Sequence, residues 1–277
     1  MKPSKVRGKL IQEVEEALET LRSHEEEAVR FHGARKKIKA IRAHLRLLRT
    51  ELGEDRYEFE NQFLRDTGRL LSSRRDALVI GQTCDALVEQ TPGLREPDLT
   101  KIREAVAAYQ HRLVGKLAAS RLSDEAARRL QTAVHRWQNL DSAIHDKKAV
   151  KKGLKKTYRA GEKRREVTMR EPRPENFHEW RKAVKYLRHQ VELLEENRGK
   201  ARLAARLKKL GDLLGEDHDY FVVEAILKSP SLRANPGARK LRRKIASLQS
   251  NLREQSLELG ETLYRRPAEK FYEAVVD

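Results

Sequence analysis

The 277-residue chain has a single cysteine, Cys84, which excludes an internal disulfide and any zinc cage built on several thiolates. A small buried core position is its expected place. Aromatic residues make up only 5% of the sequence, too few to furnish the stacking platforms of single-strand nucleic-acid binders. No segment approaches the roughly 18 uninterrupted apolar residues of a membrane span. The basic stretch 1–10 runs into acidic, amphipathic sequence without the apolar centre or cleavage site of a secretory signal, so a cytoplasmic protein without a membrane partner is expected. Runs of alternating β-branched residues are missing, and strands are not expected. With only 8 Pro and 14 Gly among abundant Ala, Leu, Glu, Lys and Arg, the chain reads as all-α. Long antiparallel helices in bundles suit its hydrophobic content of 38%, which can fill narrow apolar seams.

What the sequence has in excess is positive charge: 60 Lys+Arg against 42 Asp+Glu, a formal net charge of +18. Such an imbalance concentrates nucleic acid, anionic lipid or polyphosphate alike, and so defines a ligand class without choosing within it.

Turn and capping signals divide the chain. Ser23 followed by Glu26 has capping-box spacing, which predicts a helix running to Arg49 and stopped by Gly53. Further helices are predicted over 56–71, 75–90, 98–119, 123–145 and 147–165, with breaks at Pro92, Gly93, Pro97 and Ser123. Pro172 and Pro174 lie in charged, apolar-poor sequence, which makes 161–175 the expected linker between an N-terminal half, 1–160, and a C-terminal half, 176–277. The second half should hold helices over 176–196, 199–214, 217–228, 237–262 and 267–276.

Self-similarity is the most informative feature. Phe31-His32-x-x-Arg35-Lys36-x-Ile38-Lys39-x-Ile41-Arg42-x-x-Leu45 recurs 146 residues later as Phe177-His178-x-x-Arg181-Lys182-x-Val184-Lys185-x-Leu187-Arg188-x-x-Val191. In the same order, Gly68-x-Leu70-Leu71-Ser72-x-x-Arg75-Asp76 recurs 143 residues later as Gly211-x-Leu213-Leu214-Gly215-x-x-His218-Asp219. Two ordered matches of mixed chemistry predict duplicated halves, related by an internal pseudo-two-fold within one domain spanning 1–277.

On a helical wheel of about 100° per residue, Arg35, Lys36, Lys39, Arg42 and Arg46 fall in a stripe of about 120° around His32. Ile38, Ile41 and Leu45 cluster opposite, so one face packs and the other is cationic. In the second copy His178, Arg181, Lys182, Lys185, Arg188 and His189 make the stripe, with Val184, Leu187 and Val191 behind it. Solvated helix faces usually interleave Glu with Lys, because like charges one turn apart destabilise a helix. Between His32 and Arg49 there is no acidic residue at all, a standing electrostatic cost that an external anion would offset.

A third basic element is Lys147-Lys148-x-x-Lys151-Lys152-Gly153-Leu154-Lys155-Lys156-x-Tyr158-Arg159, in which Lys148, Lys151, Lys152, Lys155 and Arg159 share a wheel face. It is read as a second wall for the same ligand, with the Tyr158 hydroxyl placed at the basic groove. Trp137 and Trp180 are read as packing residues.

The two H-x-x-R-K-x-x-K-x-x-R copies, Arg75-Asp76 with His218-Asp219, and Gly153-Leu154 leading to Tyr158-Arg159 together resemble the CHAD domain, the conserved histidine α-helical domain, over residues 5–275. The resemblance implies two helical bundles whose basic faces line a central groove or pore that takes inorganic polyphosphate. Carried over by position, it implies binding by His32, Arg35, Lys36, Lys39 and Arg42, and by His178, Arg181, Lys182, Lys185 and Arg188. It extends less directly to Lys148, Lys151, Lys152, Lys155, Tyr158 and Arg159. At His218 the chain departs from the Arg that usually precedes this Asp. An association with polyphosphate granules would follow from such binding.

The residues fit that ligand on their own terms. Polyphosphate is an unbranched chain with about one negative charge per phosphate and no bases, so it needs repeated cations rather than groove-reading geometry. Sequence-independent duplex binding is the alternative, and nucleic acid the natural competitor. Metal ligation is disfavoured because His32 and His178 sit among cations that would repel one. No cofactor and no catalysis are expected. Asp76 and Asp219 each come alone in their motifs, and no Gly-rich phosphate loop, nucleophile elbow or HExxH pattern is present.

Overall fold

The computed structural model describes residues 4–115, 118–138, 146–194 and 198–276. It is all-α, without a strand among the described residues. In order the helices are α1 (Ser4–Arg22), α2 (Glu27–Leu45), α3 (Arg49–Leu52), α4 (Glu54–Leu70), α5 (Ser72–Glu89) and α6 (Glu96–Val114). They continue as α7 (Ala119–Gln138), α8 (Asp146–Arg170), α9 (Pro174–Leu193), α10 (Arg198–Leu227), α11 (Pro236–Leu263) and α12 (Ala268–Val276).

Three sequence expectations are corrected. The capping box does not form: the Ser23 hydroxyl donates back to the Thr20 carbonyl at 3.1 Å, and α2 starts at Glu27 without a side-chain cap. The expected linker is mostly helix, because the helix-favouring run from Glu162 to Glu166 carries α8 to Arg170, and only 171–173 separate it from α9. No break divides 199–214 from 217–228. Gly215 is buried inside α10, where a Cβ would stand 3.3 Å from the Arg181 guanidinium; the missing side chain makes room for that arginine rather than ending a helix. Gly53 does terminate a helix, with a φ of 78°.

Neither hydrophobic core belongs to one half. The larger joins Phe31, Ile38, Ile41 and Leu64 to Phe177, Trp180, Val184 and Leu210. The smaller joins Ile80 and Cys84 of α5 and Ile102 of α6 to Val223 of α10 and Ile245 of α11. Cys84 is buried, and burial pushes its thiol up to about 11. Trp137 and Trp180 pack in the larger core.

The helices that carry the first repeat, α2 and α9, pack against each other. Their contact is reciprocal. Nε2 of buried His44 donates to the His189 carbonyl at 2.9 Å, and Gln190 Nε2 donates to the Ala43 carbonyl at 2.8 Å. Ala43 and His44 occupy the same repeat positions as His189 and Gln190. On its other side His44 Nδ1 meets Glu13 Oε2 at 2.6 Å.

Helix α8 comes so close to the turn after α2 that a Cβ on Gly153 would lie 2.5 Å from Leu47 Cα and 2.6 Å from its carbonyl oxygen. Backbone cannot yield as a side-chain tip can. Gly153→Ala is therefore expected to cost about 1–3 kcal/mol, read as a lower thermal midpoint; an unchanged midpoint would show that α8 can retreat freely.

Candidate anion-binding site

The apolar stripes of α2 and α9 are buried as expected: Ile38, Ile41, Val184 and Leu187 are all within 1% of complete burial. The opposite faces open into two adjoining cavities that share Arg35, Lys39, Arg42, His178, Lys182 and Tyr186.

The larger cavity, about 760 Å³, lies between α2, α4, α8 and α9 and is lined by ten Lys and Arg side chains against one carboxylate, Glu179. Neutral acceptors hold its central guanidiniums. Asn61 Oδ1 accepts from Arg42 Nε and from Arg46 Nη1, both at 3.1 Å, and Arg46 also donates to the Arg42 carbonyl at 3.2 Å. The Arg46 guanidinium lies 3.8 Å from the centroid of the Tyr186 ring. Such partners orient the charge without cancelling it. Toward the rim the cations are paired: Arg49 with Glu54, Lys182 with Glu179, and Arg65 and Arg69 with Asp66.

The smaller cavity, about 460 Å³, lies between α2, α5, α6, α9 and α10. Arg35 forks Asp76 at 2.9 and 3.2 Å, and Arg75 joins the same carboxylate at 3.2 Å. The matched pair in the second half is looser. Arg181 has a buried Nε without a partner; Asp219 acts on it through space, and burial raises the Asp219 carboxyl.

Lys39 and Lys185 have no carboxylate within ion-pair distance among the described residues. Burial, reinforced by Arg181 and Lys39, pulls the Lys185 ammonium down to about 7. Lys39 keeps contact with solvent through the cavity, yet the surrounding protein and then Arg35 and Arg181 bring it down to about 8. His218 packs against His178 in a tilted arrangement, with ring centroids 4.3 Å apart and 39° between the planes. Burial and then His178 hold it neutral, down to about 4. His178 is likewise lowered, first by burial and then by Lys182 and Arg181, and its Nδ1 is buried without a partner. A site crowded with unneutralised cations and an orphaned imidazole nitrogen is costly when empty and suited to an anion.

The remaining predicted residues are placed as follows. Arg46 lines the larger cavity, while Arg181, Lys185, His189, Arg75, Asp76, His218 and Asp219 line the smaller. His32 and Lys36 are exposed on α2 and line neither; the His32 imidazole is lowered by burial and then by Arg75. Arg188 turns to Glu192 at 2.7 Å, and His189 Nδ1 approaches the same carboxylate at 3.0 Å. The face of α8 chosen on the wheel points elsewhere. Lys151 and Lys155 lie over the Tyr272 ring, Lys155 and Arg159 pair with Glu269, and Lys148 and Lys152 are exposed. Tyr158 is fully buried, its hydroxyl donating to the Leu263 and Arg266 carbonyls at 3.3 and 2.6 Å.

Helix α8 instead offers Gly153, Lys156, Thr157, Ala160 and Arg164 to the larger cavity. Asn61, Arg65, Arg69 and Arg49 were also missed by the sequence reading. The signal for α4 was available, since Asn61, Arg65 and Arg69 recur at steps of one helical turn. Among the described residues no group of three His, Cys, Asp or Glu side chains lies close enough to hold a metal ion, and no helix is long and apolar enough to cross a membrane.

Comparison with curated proteins finds no match to the chain. The CHAD domain family matches residues 12–228, a span that includes both copies of the repeat and every side chain lining the two cavities. With more than half of its length matched, and both cationic helices within the match, the chain belongs to the CHAD domain family.

Proposed function

We propose that this chain binds inorganic polyphosphate without cleaving it, along the cationic faces of α2 and α9. The observation that carries the reading is the larger cavity, where ten cations face one carboxylate and the central guanidiniums are held by neutral acceptors. Helical neighbours about 5–6 Å apart suit successive or alternate phosphates of a slender chain. Arg forks two oxygens while Lys acts as a point charge. The family match is consistent with this ligand, and the reciprocal α2–α9 contact supports two related halves sharing one site. Asp76 is committed to Arg35 and Arg75, which favours binding over hydrolysis. Such a protein would work in the cytoplasm, where polyphosphate granules are its natural place of accumulation.

Duplex nucleic acid presents its phosphates on a broad rigid cylinder, so it meets the outward cations rather than those inside the cavities. A filter-binding competition at fixed salt separates the two ligands. Long polyphosphate should displace bound labelled polyphosphate at a concentration, counted as phosphate, at least about tenfold below that needed by duplex DNA. Equal potency would reduce the site to bulk charge.

A further inference from the structure

We propose that a second phosphate-chain site lies on the flank built by the start of α10, the end of α11 and α12, so that one copy of the protein can hold two polyphosphate strands; this rests on the reading of the cavities above. A separate pocket of about 520 Å³ stands there, lined by Arg202, Arg206, Arg265 and Arg266 around a floor that includes Leu203, Leu263 and Phe271. It shares no lining residue with either cavity.

No carboxylate lines this pocket. The nearby acidic side chains of α11 and α12 are turned to other cations: Glu261 to Arg165, Glu269 to Lys155 and Arg159, and Glu273 to Lys270. Arg206 donates to the neutral Thr262 hydroxyl. Four guanidiniums around an apolar floor repel one another and gain little from a single monovalent ion. A short run of phosphates can be forked by several of them at once.

Tyr158 gives the pocket its shape. Its hydroxyl grips the Leu263 and Arg266 carbonyls on either side of the turn that carries Arg265, and its ring stacks on Phe271 with centroids 4.2 Å apart. The flanks of α8 are thus divided. Gly153, Lys156 and Thr157 face the larger cavity, whereas Tyr158 holds the second site from within the core. Tyr158 is accordingly a positioning residue for that site, and Lys151 outside it adds positive field beside α12.

The test uses tripolyphosphate in titration calorimetry and two batches of long polyphosphate carrying donor and acceptor dyes. Wild type should bind about two tripolyphosphates per chain and bring the two dyes together, whereas the quadruple variant Arg202→Gln, Arg206→Gln, Arg265→Gln, Arg266→Gln should bind about one and lose energy transfer by about tenfold. Tyr158→Phe should weaken the second site severalfold and spare the first; equal affinities at both sites despite a lower thermal midpoint would make its role merely structural and overturn that part. One tripolyphosphate per wild-type chain, or a quadruple variant that keeps both sites, would overturn the proposal. So would a quadruple variant that loses only duplex DNA binding. Failure of the cavity reading looks different: Lys39→Gln, Arg42→Gln, Arg46→Gln would then leave the stoichiometry untouched.

Discussion

Replacing Lys39, Arg42 and Arg46 together by Gln is expected to weaken binding at the cavity site by about a thousandfold. Each contributes a charge-assisted contact of about 1.5 kcal/mol, close to a factor of ten apiece. All three line the larger cavity, and none is cancelled there by a carboxylate within ion-pair distance. The slope of log affinity against log salt should become shallower by about two, as three counterion-releasing contacts are lost. The control removes the same number of charges from α11, at Arg239, Arg242 and Arg243, which line none of these pockets. There the loss should stay within about threefold. Equal losses from both variants would mean that net charge alone binds the ligand. Matching circular dichroism and thermal midpoints would establish that both variants fold.

The second large effect is proton uptake on binding, carried mainly by lysines. In the free protein Lys185 is pulled down to about 7 and Lys39 to about 8. A bound polyanion favours the ammonium and raises both toward the ordinary value near 10.4. The extra affinity is fully present below the free-state values and is lost as pH climbs through the bound-state ones. Affinity should therefore fall progressively between about pH 7 and pH 10. Calorimetry at pH 8 in buffers of different ionisation enthalpy should show uptake of about one proton per site, abolished in the double variant Lys39→Met, Lys185→Met. Uptake that survives the double variant would sink the assignment. For folding the sense is reversed, because the folded-state values lie below those of unfolded lysine. The free protein gains stability from these two groups as pH rises from about 7 toward 10, so the double variant should melt higher at neutral pH.

The cationic stripes carry histidines as well as lysines, but it is Lys39 and Lys185 whose ammoniums are brought down to about 8 and about 7. A wheel reveals that Lys39 and Lys185 share a face with arginines. It does not reveal that α2 and α9 pack side by side, so that both lysines line one cavity and Arg181 acts on each of them. His32 belongs to the same stripe but sits at its exposed edge.

The helix class and the division of α2 and α9 into apolar and cationic faces were legible because each is a local, periodic property of one segment. The side of α8 that faces the larger cavity was not. Its lysines surround much of the helix, and the choice was made by Gly153 against the Leu47 backbone and by Tyr158 against Leu263 and Arg266, contacts that in both cases join residues more than 100 positions apart. The 161–175 linker failed for a related reason. Charged, apolar-poor sequence can mark either a loop or a solvated helix, and in α8 nothing before Pro172 stops the helix.

The match between α2 and α9 is close at the seam and broken one turn later. Position 46 is Arg, free to stack on Tyr186 inside the larger cavity, whereas its counterpart 192 is Glu, closed onto Arg188 and His189. Two identical subunits meeting through this seam could not make that choice, since any substitution would appear on both sides. A seam between two segments of one polypeptide is free of that constraint. One flank of the seam can stay open and cationic while the other is sealed by an internal ion pair, so that a strand bound as proposed would meet two unlike ends and the protein would have a direction along it.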